Sequence, residues 1–214
     1  LGSHTHWDRK LDGKLAQAIL SIQAHKGVEI GHGFGLARSK GSEVHDELFY
    51  QAGRGFYRKS NNAGGIEGGM TNGEPIVVRA AVKPLASLRR PLKSVNIQTK
   101  EEMTAEIVRS DVCPVASAAV VGETVVAIAL AEAVSEKFGS DSIREMRDNR
   151  DRYTAHLLDY WRTPARREHC PHRFHDDREI VGGAAALAAP RVRFFRHRRH
   201  DRKADRPLDR RDFF

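Results

Sequence analysis

Apolar residues recur at helical spacing near the start of the chain. Leu11, Leu15, Ala18, Ile19 and Ile22 fall on one stripe, which predicts an amphipathic helix over Leu11–Ile22 with Asp8 or Asp12 available to cap it. The period then shortens. Gly27-Val28-Glu29-Ile30-Gly31 reads as a short strand with Glu29 on one face, and Ile76–Val82 as a second strand by its β-branched content. Between them, Gly31 to Gly55 is polar and loop-like, ending in the aromatic, basic piece Phe56-Tyr57-Arg58-Lys59. Ser94–Thr99 and Met103–Val108 predict two further short strands separated by Lys100-Glu101-Glu102.

The longest apolar run, Val112 to Ala131, leads into a predicted helix over Ser117–Phe138 with Gly139 as its stop. Its length raises a transmembrane reading. Glu123 near its middle and Pro114 near its start favour a buried core helix instead. Ser142 with Glu145 three residues on is a capping-box pattern for a last helix, Ile143 to about Trp161. No solenoid-type repeat is visible. Helix, strand, loop, strands and helix in this order predict a mixed α/β (α+β) protein with helices packed over mixed or antiparallel sheet.

Charge changes the picture only beyond that last helix. Residues 1–161 hold 21 Lys+Arg against 20 Asp+Glu, whereas 162–214 hold 15 against 8, so +7 of the +8 net charge belongs to the tail. The expected division is therefore a body, 1–161, and a basic Arg/His-rich tail, 162–214. Three readings of the tail stand side by side: a nucleic-acid or membrane-surface segment, a disordered extension, or translation of GC-rich sequence in a non-native frame. The tail's His169-Cys170-Pro171-His172-Arg173-Phe174-His175 cluster matches no standard zinc spacing. Two cysteines, Cys113 and Cys170, give no disulfide framework, and no signal peptide is evident, so a reducing, cytoplasmic setting is expected.

Candidate chemistry centres on Ser60–Gly73, with five glycines and three asparagines in fourteen residues. Exposed backbone N–H groups in such a loop make concavities suited to anions, phosphate above all. A connector between strands is the plain alternative. Strand and lysine follow, Pro75 to Val82 and then Lys83-Pro84. His4, His6 and Asp8 near the start suggest metal or general-base chemistry only weakly, and no metal is expected.

Five segments occur in one order: Leu1-Gly2-Ser3-His4-Thr5-His6-Trp7-Asp8-Arg9-Lys10-Leu11-Asp12, Ser21–Gly31, the glycine loop, Lys83–Leu88 and Arg109-Ser110-Asp111-Val112-Cys113-Pro114. Together they resemble the C-terminal half of the chorismate synthase family, from Leu1 to about Arg150. The resemblance implies a β-α-β sandwich, incomplete here. It implies a lyase of the shikimate pathway that converts 5-enolpyruvylshikimate 3-phosphate to chorismate and phosphate by anti-1,4-elimination, with reduced FMN. It also implies a homotetramer for the complete enzyme. An NAD(P)H-dependent flavin reductase accompanies some family members, and the resemblance leaves it open here.

By that resemblance Gln23 and Ala24, Gly68, Lys83-Pro84-Leu85-Ala86-Ser87 and Arg109 match flavin contacts. Arg109 also matches a substrate contact, and Asp111 a carboxylate that relays the substrate proton beside the flavin. Ala86 stands where the family more often has Ser or Thr. The family's catalytic histidines, serine-rich flavin loop and N-terminal arginines have no counterpart here, so the chain alone is expected to be an inactive fragment. Two other readings remain: a non-catalytic flavin- or phosphate-binding module, and nucleic-acid binding through the tail.

Overall fold

The computed structural model describes residues 1–160 apart from 53, 89, 108 and 110–112, with only the backbone of 158–160. After a single 3-10 turn at Trp7–Arg9, helix α1 spans Leu11–Leu20. Leu11, Leu15 and Ile19, four residues apart, lie on one face of it and are fully buried. That face is the centre of the core. Strand residues Ile66 and Val78, and Ile76 just ahead of the second, contribute to the same cluster, as do Val126, Ala129, Leu130 and Ala133 from a later helix.

β1 (His25–Ile30) follows, then a 3-10 segment at Gly33–Arg38 and a single helical turn, α2 (Gly41–Val44). β2 (Leu48–Gln51) and β3 (Gly55–Arg58) form a hairpin, and β4 (Ile66–Glu67) and β5 (Met70–Thr71) a second, minimal one. β6 (Val78–Val82) returns to pair with β1, with Val28 opposite Ala80 and Glu29 opposite Arg79. β7 (Lys93–Val95) and β8 (Glu102–Thr104) make a third hairpin. The described strands thus form four two-stranded antiparallel sheets, and with the helices this is an α+β arrangement.

The chain ends its described part in α3 (Val115–Phe138) and α4 (Ile143–Tyr160). Gly139 stops α3 at φ +90°, its N–H bonding the Ser135 carbonyl at 2.9 Å. The Ser142 hydroxyl accepts the Glu145 N–H at 3.1 Å, one half of the expected capping box. Gly122 lies on the buried face of α3 without interrupting it.

Neither Asp8 nor Asp12 caps α1: Lys10 stands at its N-cap, without a side-chain cap bond. Two further expectations differ from the fold. The segment 31–55 is not simply loop: it holds a 3-10 segment, a helical turn and β2. Tyr50 and Phe56 pair across the β2–β3 ladder with ring centroids 5.0 Å apart, a cross-strand contact that no local periodicity announces. The second correction concerns the apolar run at the start of α3, which is only partly buried. Val120 (66% exposed), Val121 and Ile128 (64%) face outward. α3 has apolar residues on both its covered and its outer side, and it is long and apolar enough to cross a membrane by length and composition. Its main neighbours among the described residues are α1 and α4, and these cover one side.

Candidate functional site

The glycine loop is ordered around a carboxylate. Asp46, just before β2, accepts the Asn62 N–H at 2.8 Å and the Ser60 hydroxyl at 2.6 Å on one oxygen, and the Ala63 N–H at 2.8 Å on the other. Desolvation is the largest effect on this carboxyl and pushes it up. The Ala63 N–H, Ser60 hydroxyl, Asn62 N–H and Arg58 charge together outweigh it and hold the group below its ordinary value. Some of the anion-binding donors expected of the loop are therefore present, and an internal anion already occupies them.

Arg58 extends the arrangement. Its guanidinium donates to the Asp46 carbonyl and, at 2.6 Å, to the Glu67 carboxylate. Glu67 also accepts from the Asn72 side chain at 2.8 Å. Asn61 closes the first limb, accepting the Gly65 N–H at 2.7 Å and donating to the Pro75 carbonyl at 2.8 Å. Gly64 and Gly31 meet backbone to backbone, and a Cβ on Gly64 would lie 2.3 Å from the Gly31 nitrogen. Gly68 and Gly69 form the two-residue turn between β4 and β5, at φ +59° and +85°. Two positive φ values are what a type I′ hairpin turn requires.

A second cluster lies at the other end of α1. After α1 the chain turns through Gln23 and Ala24, both exposed, and Ala24 adopts φ +65°. That conformation costs a non-glycine residue about 1–2 kcal/mol. The Ala24 carbonyl accepts the Lys83 N–H at 2.7 Å, so the exit of β6 is bonded to the entry of β1. Lys83, Pro84 and Ala86 are exposed, while Leu85 and Ser87 are half-buried. The structure thus joins Gln23-Ala24 to Lys83–Ser87. Gly68 stands apart: the neighbouring Gly69 carbonyl accepts the N–H of Leu11, the first residue of α1. Ten helical residues separate the two clusters, about 15 Å along the axis.

Arg109 is exposed, and Asp111 lies outside the described residues. So do Cys170 and the histidine cluster of the tail. No three His, Cys, Asp or Glu side chains come together to hold a metal among the described residues, and His4, His6 and Asp8 do not assemble.

Three features had no sequence expectation. Asp46 is one. Its signal, an acidic residue ahead of a loop rich in free N–H groups, is present in the sequence but needs the loop's path to be read. The second is a groove of about 420 Å³ on the β1–β6 ladder, floored by Gly27, Ala80 and Ala81 and edged by Phe34. At its polar end Arg79 meets Glu29 at 3.1 Å and the His32 carbonyl at 2.7 Å. The third is His25, 3% exposed. Its Nδ1 is 3.1 Å from the Gln23 carbonyl, and its Nε2 is buried without a hydrogen-bond partner among the described residues.

A family model described as chorismate synthase matches residues 1–135. The chorismate synthase of Geobacter sulfurreducens is 60% identical over 164 residues, covering 73% of this chain and 42% of that protein. That of Aquifex aeolicus is 54% identical over 160 residues, covering 75% of this chain and 40% of that protein. A crystal structure of chorismate synthase aligns at 47% identity with a TM-score of 0.59, over 73% of this chain and 39% of that one. The chain spans about two fifths of the length of these relatives.

Proposed function

The chain belongs to the chorismate synthase family, and from that premise we propose that it carries part of a site for reduced FMN and 5-enolpyruvylshikimate 3-phosphate. The observation that carries this reading is the hydrogen bond from the Lys83 N–H to the Ala24 carbonyl, at a turn held in left-handed backbone. Strain of this kind persists where surrounding structure over-determines it, and it clusters at ligand sites. Here it presents Gln23 and Ala24 beside an exposed lysine, a donor set that suits an anionic cofactor.

The reaction of the family is an elimination: the C–O bond to phosphate and one ring C–H bond break, and a further ring double bond forms. Reduced FMN, when bound, supplies electron density during the departure of phosphate, with no net redox change. The protein's own residues bind and orient. Gln23 and Ala24 offer backbone contacts, and Lys83 places positive charge near the cofactor. Ser87 offers a hydroxyl, and Gly68 permits close approach without a Cβ. Arg109 offers a planar fork for the substrate's carboxylate or phosphate. Asp111 takes and passes on the ring proton at its carboxylate. Pro84, Leu85 and Ala86 shape the same stretch. A cytoplasmic setting, homotetrameric assembly and a boundary near residue 161 belong to this reading as well.

A chain spanning about two fifths of its relatives holds only part of such a site, so cofactor binding without turnover is expected. Anaerobic titration of the 214-residue chain with reduced FMN, followed by addition of the substrate, tests both parts. Binding that weakens on Lys83→Ala supports the cofactor reading. Binding without turnover is the behaviour of a flavin-binding module. No FMN binding by the chain would overturn the placement of the cofactor contacts.

A further inference from the structure

We propose that the Asp46 carboxylate is the built-in anion of the glycine loop and acts as a positioning residue. That carboxylate fills the loop's donor nest and so holds residue 46 in place, and the backbone carbonyl of the same residue is tied through Arg58 and Glu67 to the Gly68–Gly69 turn. The nest itself stands on geometry alone; the statement that its setting matters for a cofactor rests on the reading of Gly68 above.

Three donors converge on this one carboxylate, the Ser60 hydroxyl and the Asn62 and Ala63 N–H groups, at 2.6–2.8 Å. Charge-assisted bonds of that length are the strong class. With these donors committed, an external phosphate has none of them to use and would meet a like charge. The glycine loop is therefore not a phosphate cradle at Asn62 and Ala63; the cofactor's or substrate's phosphate is bound elsewhere.

The nest is also mechanically connected. Arg58 bonds the backbone carbonyl of Asp46 and the carboxylate of Glu67, and its side chain is only 9% exposed. Glu67 is the residue before Gly68 and is tied in turn to Asn72 beyond the turn. The Asn72 N–H bonds the Gly65 carbonyl at 3.0 Å, which closes the loop on itself. A path of hydrogen bonds thus runs from Asp46 to both sides of a turn whose glycines have no side chains of their own to anchor it.

The two possible substitutions differ usefully. Asp46→Asn keeps the shape, but its NH2 group must oppose either the Ala63 N–H or the Asn62 and Ser60 donors. Asp46→Ala empties the nest and leaves a space that a small carboxylate can enter.

The experiment is amide hydrogen exchange on the full chain, read at Asn62 and Ala63, with α1 as the internal control. In Asp46→Ala, exchange at these amides should rise about tenfold or more while α1 is unchanged. Formate, but not chloride at equal ionic strength, should slow it again. Asp46→Asn should show a smaller rise, and it serves as the variant of record if Asp46→Ala does not fold. Parent-like exchange in the folded variant, or slowing by chloride as great as by formate, overturns the proposal. Where the parent chain binds FMN, Asp46→Ala should weaken that binding and formate should restore it. If binding is unaffected while exchange rises, the link to Gly68 is wrong and the nest is only local structure. If the parent binds no FMN, the cofactor reading fails while the exchange result still decides the nest.

Discussion

His25 is enclosed where β1 begins, with one ring nitrogen bonded to the Gln23 carbonyl and the other without a partner among the described residues. A buried polar atom without a partner retains its desolvation cost, about 1–3 kcal/mol. His25→Leu removes that atom at similar volume, and exposed Gln23 leaves its carbonyl open to water. The urea midpoint should rise, by an amount equivalent to about 1 kcal/mol. A lower midpoint would show that the ring's bond to Gln23 outweighs its orphaned nitrogen. In a complete enzyme built on this sequence, Asp111→Asn keeps size and much of the hydrogen bonding but cannot take a proton at neutral pH. The catalytic rate should fall about 10²–10⁴-fold with little change in FMN or substrate affinity. Near-parental turnover would assign Asp111 to an ion pair instead.

At the scale of elements, the buried face of α1 and the outer face of α3 behave differently. Leu15 on α1 is fully buried against the α3 cluster, so Leu15→Ala should cost about 2–5 kcal/mol in denaturant unfolding. Ile128 on the outer face of α3 is 64% exposed, and Ile128→Thr should change stability of this chain by less than about 1 kcal/mol. A cost for Ile128→Thr equal to that for Leu15→Ala would mean that the outer face is covered in solution. The glycine loop adds a pH dependence. Asp46 is held below its ordinary value, so its stabilising contribution is fully present above the unfolded pKa of about 3.9. It is lost as pH falls through the lower folded value. Protection of the Asn62 and Ala63 amides should be flat from neutral pH to about pH 5 and fall only below about pH 4. Loss of protection between neutrality and pH 5 would point to a different titrating group.

For the whole molecule, one cluster joins α1, α3 and Ile66, Ile76 and Val78, and all of it lies ahead of the basic tail. Shortening the chain to residues 1–161 removes 15 Lys+Arg and 8 Asp+Glu. The thermal midpoint and any FMN affinity should be unchanged, whereas non-specific, salt-sensitive binding to DNA should fall. A lowered midpoint would place part of 162–214 in the folded unit. The same scale explains why the proposed cofactor contacts divide: α1 separates the turn at Ala24 and Lys83 from the turn at Gly68.

Local patterns determined much of this protein. The four-residue spacing of Leu11, Leu15 and Ile19, the Gly139 stop and the Ser142–Glu145 cap specify helices through contacts within a few residues, so they are legible without a fold. The β-branched stretches gave β1 and β6 for the same reason, and the order of short motifs identified the family. Pairing across distance was decided only in three dimensions. β2 lacked a periodic signal because its aromatic partners lie across a hairpin. The outer face of α3 looked like core, since hydrophobicity states a preference for burial and not whether a neighbour is there to provide it. The glycine loop looked like an open anion site, because free N–H groups are visible in composition but their acceptor is not. Asp46 lies 14 residues before Ser60, and only the folded backbone brings its carboxylate onto those donors.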